Sequence, residues 1–88
     1  MERFNIDIKS SVEKDISRID SQFIPQILNA IEKLSINPFH TSSKKLKGSK
    51  SSYRLRSGDY RIIYKIDKMS KTVTIFHIKH RKESYKKR

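Results

Sequence analysis

The sequence predicts a small α+β domain, with a strand and two helices packed on a twisted, mainly antiparallel four-stranded sheet. Three patterns carry this. From Tyr53 to Lys79, three runs alternate apolar with polar or charged residues, and two turn-like breaks separate them. Before them, two stretches repeat apolar residues every three or four positions. At the start, Phe4, Ile6 and Ile8 alternate with Asn5, Asp7 and Lys9. A period of two lines one face of a strand, and a period near 3.6 lines one face of a helix. A chain of 88 residues holds one modest core, so residues 1–88 form a single domain.

Each element has its own signals. The Phe4–Ile8 alternation reads as a half-buried strand. Ser10 or Ser11 offers a helix N-cap, and Val12, Ile16 and Ile19 set a short helix from about Ser11 to about Asp20. Ser21 can cap a second helix with Pro25 in its first turn, where a missing N–H costs nothing. Its stripe is Ile24, Ile27, Leu28, Ile31 and Leu34, and Asn37–Pro38 stops it. Residues 38–52 are rich in Ser and Lys and read as a surface loop.

A meander follows. Ser52–Arg56 is its first strand, Ser57–Asp59 a tight turn using Gly58, and Tyr60–Ile66 the second strand. Asp67–Ser70 turns into a third strand over Lys71–Lys79. Alternation puts Tyr53, Leu55, Tyr60, Ile62, Tyr64 and Ile66 against the helices. It leaves Arg54, Arg56 and Arg61 together on the open face.

Charge narrows the function. The net charge is +12, and it is unevenly spread. Residues 1–43 hold five Lys/Arg and six Asp/Glu, while residues 44–88 hold sixteen and three. A cationic field of this density attracts nucleic acid, an anionic membrane surface or an acidic protein, and without such a partner it destabilises the fold by self-repulsion. Lys44, Lys45, Lys47 and Lys50 in the loop can reach a polyanion backbone, as can Lys79, Arg81 and Lys82. The absence of Cys removes disulfides and thiolate metal sites and suits the cytoplasm. No apolar run approaches membrane-span length. His40, His77 and His80 are scattered without metal-ligand spacing, and no Gly-rich phosphate loop occurs, so neither metal nor cofactor is expected. By position, His77 and the tyrosines Tyr60 and Tyr64 suit structural roles.

Three pieces, LKG (Leu46–Gly48), YRLRSGDYRIIYKI (Tyr53–Ile66) and HRKESY (His80–Tyr85), together with the element order, resemble the RelE/ParE superfamily of toxin–antitoxin systems, and within it the RelE branch. The resemblance implies a metal-independent endoribonuclease that cleaves messenger RNA on the ribosome. The ribose 2′-hydroxyl would attack the adjacent phosphate, and a cognate antitoxin would silence the protein. It implies that Arg61 stabilises the transition state, that Arg81 binds phosphate or donates a proton, and that Tyr85 stacks on or orients the substrate. Arg54 and Ser52 fall where relatives carry lysines. Arginine does not give up its proton as lysine can. Proton removal is therefore expected of His80, with Lys47 and Lys50 as alternatives. Arg56, Lys79 and Lys82 would add phosphate and ribosomal RNA contacts. The competing expectations are a ParE-like inhibitor of DNA gyrase and a nucleic-acid-binding or inactive homologue.

Overall fold

A computed structural model describes residues 3–39, 43–45 and 52–80. In chain order it contains β1 (Asn5–Ile8), α1 (Ser10–Ser17), a 3-10 turn (Ser21–Phe23), α2 (Ile24–Ile36), β2 (Ser43–Lys45), β3 (Ser52–Ser57), β4 (Tyr60–Asp67) and β5 (Thr72–His80). The strands form one sheet in the order β1-β5-β4-β3-β2. β1 runs parallel to β5, and the remaining pairs are antiparallel.

The fold is the α+β arrangement expected, with the helices beside a mainly antiparallel sheet, but the sheet has five strands instead of four. The added strand is β2, in the stretch read as loop. Its sequence, Ser-Lys-Lys, has no apolar alternation because it is an edge held by its backbone pairing to β3. Short lysine-bearing strands are a common way to blunt a sheet edge.

Two helix boundaries also differ from expectation. α1 stops at Ser17, because Arg18 and Ile19 turn their N–H groups back three residues to the carbonyls of Asp15 and Ile16. α2 is preceded by a 3-10 turn whose cap is Asp20, not Ser21, with Asp20 Oδ1 accepting from the Gln22 amide at 3.2 Å. At the start of α1 the cap position is Lys9, without a side-chain bond. Ser11 instead donates to the Phe76 carbonyl at 2.6 Å and ties the helix to β5. Phe4, just before β1, and Ile6 within it pack on the core, while Ile8 is exposed.

The core joins Val12, Ile19, Ile27, Ile31 and Leu34 from the helices to Leu55, Tyr60, Ile62, Tyr64, Ile66, Val73, Ile75 and Ile78 from the sheet. Every other residue of β4 from Tyr60 to Ile66 is buried, as the alternation requires. The β3–β4 hairpin closes through Gly58 and Asp59, with Gly58 at φ 61°. A glycine with positive φ at the first central position fits a type II′ turn, whose twist matches the flanking strands. Gln26 of α2 sits against this turn: a Cβ on Gly58 would lie 2.7 Å from its Nε2. Among the described residues no helix is long and apolar enough to cross a membrane.

Candidate nucleic-acid interface

Strand register decides which cations meet. Residues directly opposite each other on neighbouring strands project from the same face. Arg56 pairs with Arg61, and Arg61 with Lys79, so three cations form one row across β3, β4 and β5. In the next row Lys44 of β2 stands opposite Arg54. These residues occupy the face away from the helices, since their strand neighbours Leu55, Ile62 and Ile78 are in the core. Arg54, Arg56 and Arg61 thus share the open face, as alternation predicts.

The two rows border an open cleft of about 610 Å³ lined by Lys44, Arg54, Arg56, Gly58, Asp59 and Arg61. Four of these side chains are cations and one is a carboxylate. Arg56 donates from Nε to the Gly58 carbonyl at 2.9 Å, so the turn orients its guanidinium. Like charges directly opposite on a sheet destabilise it. Arginine forks on such a surface match phosphate oxygens in bidentate geometry.

The remaining expected residues fall elsewhere. Lys79 is in the cationic row, but its sequence neighbour His80 is not. His80 pairs with Tyr60, packs edge-on against its ring at 5.1 Å, and lines a small hollow with Asp15, Arg18, Ile19 and Ile78. That places the imidazole on the helix side of the sheet, across from the cleft, where a single alternation step separates it from Lys79. Lys47, Lys50, Arg81, Lys82 and Tyr85 lie outside the described residues.

His77 has the structural role expected of it. Its Nδ1 lies 3.2 Å from Asp15 Oδ2, and the same oxygen accepts from the Ile78 amide at 3.0 Å. β1 pairs with β5 only along Thr72–Ile75, so beyond that point Ser11 and Asp15 of α1 satisfy backbone groups of β5.

Sequence reasoning did not single out Asp59 as a cleft residue, and it left Lys44 in a loop. The signal for Lys44 is its register, which only the three-dimensional pairing supplies. Among the described residues no group of three or more His, Cys, Asp or Glu is placed to hold a metal ion.

Comparison with known proteins adds a lineage to this geometry. The family model described as the ParE toxin of the type II toxin–antitoxin system parDE matches residues 6–85. A protein of Methanocaldococcus jannaschii that carries the name toxin RelE1 is 31% identical over 87 residues, covering 96% of this chain and 97% of the relative. The toxin chain in the archaeal RelE–RelB complex from Pyrococcus horikoshii superposes with a TM-score of 0.79 at 26% identity, covering 90% of this chain and 96% of that one. The RelB–RelE antitoxin–toxin complex from Methanococcus jannaschii gives 0.74 at 26% identity, with 90% and 94% covered. For the RelBE2 toxin–antitoxin complex of Mycobacterium tuberculosis the TM-score is 0.81 at 22% identity, with 91% and 93% covered, a likeness of fold.

Proposed function

The chain belongs to the RelE/ParE toxin superfamily of type II toxin–antitoxin systems, and from this premise we propose that it is a metal-independent endoribonuclease that cuts messenger RNA on the ribosome. The observation that carries the proposal is the row Arg56–Arg61–Lys79 beside Arg54 and Lys44. A fold that holds like charges opposite one another forgoes stability, and a phosphate bound between them restores it.

Cleavage through the 2′-hydroxyl needs an in-line attack, loss of the hydroxyl proton, stabilisation of the pentacoordinate phosphorus, and a proton for the departing 5′-oxygen. The new bond joins O2′ to phosphorus, the bond to O5′ breaks, and a 2′,3′-cyclic phosphate remains. Arg61, with Arg56 and Arg54 beside it, suits the stabilising task. One well-aimed donor of this kind contributes about 3 kcal/mol. Arg81 and Tyr85 enter the proposal through the resemblance, as a second phosphate ligand and a stacking ring.

Arginine does not serve as a base. Of the described side chains lining the cleft, Lys44 and Asp59 are those that exchange protons, and they join Lys47 and Lys50, which lie outside the described residues, as candidates for proton removal. His80 packs against Tyr60 on the other side of the sheet, which disfavours it as the base in this reading. Positioning of the message by the ribosome supplies much of the remaining acceleration, since alignment alone is worth about 7 kcal/mol or more.

The RelE chains in the Pyrococcus and Methanococcus structures are bound by RelB. By analogy, this toxin is silenced by a cognate antitoxin whose acidic segments meet the cationic face. Its site of action is then the cytoplasm. The name of the matching family, ParE, favours one rival, inhibition of DNA gyrase without nuclease chemistry.

The test is incubation of purified protein with messenger RNA, with and without programmed ribosomes, in EDTA. Ribosome-dependent cuts that end in a cyclic phosphate, and that are lost with Arg61→Ala, are the expected result. Growth arrest with gyrase-dependent DNA breaks and intact message would overturn the proposal in favour of the rival.

A further inference from the structure

At the far end of β3 and β4 from the arginine cleft lies a second concavity, of about 650 Å³. It is lined by Phe39, Tyr53, Lys45, Lys65, Lys68 and Asp67, with Ile66 and Thr74. The geometry points to this concavity as a binding subsite for an unpaired RNA nucleotide, with Phe39 as the stacking platform and Lys45 and Lys68 as phosphate ligands.

Phe39 directly follows the stop signal of α2, yet its ring is held in place. The buried hydroxyl of Tyr64 donates to the Pro38 carbonyl at 2.9 Å, and the Phe39 amide donates to Asn37 Oδ1 at 3.2 Å. The Phe39 ring meets Tyr53 edge-on at 6.0 Å, and Tyr53 in turn stacks on Tyr64 at 5.8 Å. Three rings therefore run from the core to the surface, and the outermost is 44% exposed. An apolar ring open to water costs solvation, and among the described residues its edge contact with Tyr53 and the Lys68 ammonium give only a partial return. A base stacking on it supplies the rest, because every base has a π-face.

The cations complete the match. Lys68 Nζ lies 5.4 Å from the Phe39 ring centroid. Lys45 pairs with Tyr53 and so projects on the Phe39 side of the sheet, while Lys65 shares the open face with Arg61, its Nζ 5.7 Å from the Phe76 ring, and only borders the concavity. Asp67 opposes this charge and stays ionised, its Oδ1 accepting from the amides of Met69 and Ser70, so the described lining holds three cations against one carboxylate. Cations interleaved with exposed aromatic surface are the pattern of single-strand recognition. Four residue steps along β4 lead from Arg61 to Lys65, about 13 Å at the strand rise. Phe39 and Tyr53 lie on the helix side of the sheet, so an RNA strand seated in the cleft would pass around the end of the strands to reach the platform, and the subsite would hold a base away from the cut.

The inference rests on the reading that the chain acts on RNA, and its test separates the two. The probe is a ten-nucleotide oligoadenylate carrying 2-aminopurine, titrated with the full-length protein at several salt concentrations. Phe39→Ala and Phe39→Leu should each weaken binding by roughly 5- to 150-fold, with the salt dependence unchanged. Phe39→Trp should bind as well as the parent and quench the probe. Lys45→Ala with Lys68→Ala should lower the slope of log affinity against log salt by about 1.4. Phe39→Leu keeps an apolar side chain on Tyr53, so its effect is not a folding defect.

If the leucine variant binds the oligonucleotide like the parent, the subsite is wrong, whatever the cleft does. The subsite is equally wrong if Phe39 variants lose a co-expressed antitoxin but not RNA, since the surface then serves a protein. Binding that depends on Phe39 in a protein that never cuts ribosome-bound message would uphold the subsite and remove the nuclease.

Discussion

Neutralising Lys79 should make the protein more stable and a poorer RNA binder at once. Lys79 stands opposite Arg61 at the end of the cationic row. Cβ atoms of such a pair are about 5 Å apart, and long side chains can splay their charges somewhat further. At about 6 Å two unit charges repel by about 0.7 kcal/mol in the dielectric of water and by about 2.8 kcal/mol at an effective value of 20. The open face is wet, so the lower figure governs, and cross-strand pairs as a class contribute about 0.2–1 kcal/mol. Lys79→Gln keeps most of the side chain and removes the charge. It should gain roughly 0.5–1 kcal/mol at about 10 mM salt, or a few degrees in Tm for a domain of this size. In about 1 M salt the screening length shrinks to about 3 Å and the gain should vanish. In parallel, the salt slope of single-strand binding should fall by about 0.7, the share of one lost phosphate contact. Urea titrations at both salt concentrations, with oligonucleotide binding on the same samples, measure all of this. A stability change that is negative, or the same at both salts, would refute the like-charge row as a cost built into the fold.

Other outcomes follow from the same geometry. His80→Gln should leave the rate of single-turnover cleavage unchanged, because the ring packs on Tyr60 across the sheet from the cleft; a large loss would put proton transfer back on His80. Lys44→Met and Asp59→Asn test the two candidate bases that line the cleft, since a variant that lacks the base should lose the pH dependence of the cleavage rate. Tyr64→Phe strands the Pro38 carbonyl that its hydroxyl meets at 2.9 Å, and should cost about 1–3 kcal/mol in urea unfolding. Asp67 is held below the usual carboxylate range by the Ser70 amide and hydroxyl and by the Met69 amide. A depressed carboxylate adds stability above its unfolded value, near 3.9, and that stability is lost as pH falls through the folded value. The advantage of the parent over Asp67→Asn should therefore be present at neutral pH and disappear in acid; an offset that stays constant on acidification would contradict the carboxylate's role.

Much of the fold was legible because the elements that bury apolar surface write their period into the sequence. β3, β4 and β5 end within a residue of where alternation puts them, and the α2 stripe of Ile27, Ile31 and Leu34 is in the core. β2 was not legible, because a three-residue edge strand buries nothing and leaves no period to read. The end of α1 was misplaced for a related reason. Ile19 keeps helical spacing and is buried, but it reaches the core from the turn after the helix, where the amides of Arg18 and Ile19 close three-residue bonds. Burial pattern alone does not distinguish the last turn of a helix from the 3-10 turn that follows it.

The cleft was legible in part, and its limits come from register. Composition reveals a polycation, and alternation within one strand sorts Arg54 and Arg56 from Leu55. Whether Arg61 stands beside Arg56 or beside Arg54 depends on the turn, and the two residues Gly58 and Asp59 decide it. Whether Lys79 or His80 joins them depends on how β5 pairs with β4, and a register irregularity at Ile63/Tyr64 intervenes. With that irregularity in place, Lys79 faces Arg61 and His80 faces Tyr60. A basic run read along the chain treats Lys79 and His80 as one cluster, whereas the sheet sets Lys79 beside Arg61 on the open face and His80 against Tyr60 on the other. The same reasoning explains why Phe39 carried no signal. Its stacking surface comes from Tyr53 and Tyr64, distant in sequence, and from a carbonyl that a buried hydroxyl fixes in place. Sites assembled across strands are thus recovered from pairing and not from spacing. It follows that substitutions at the β3–β4 turn, such as Gly58→Ala, should disturb the cleft, since a φ of 61° opposes a side chain there, while the flexible end of Gln26 can move aside.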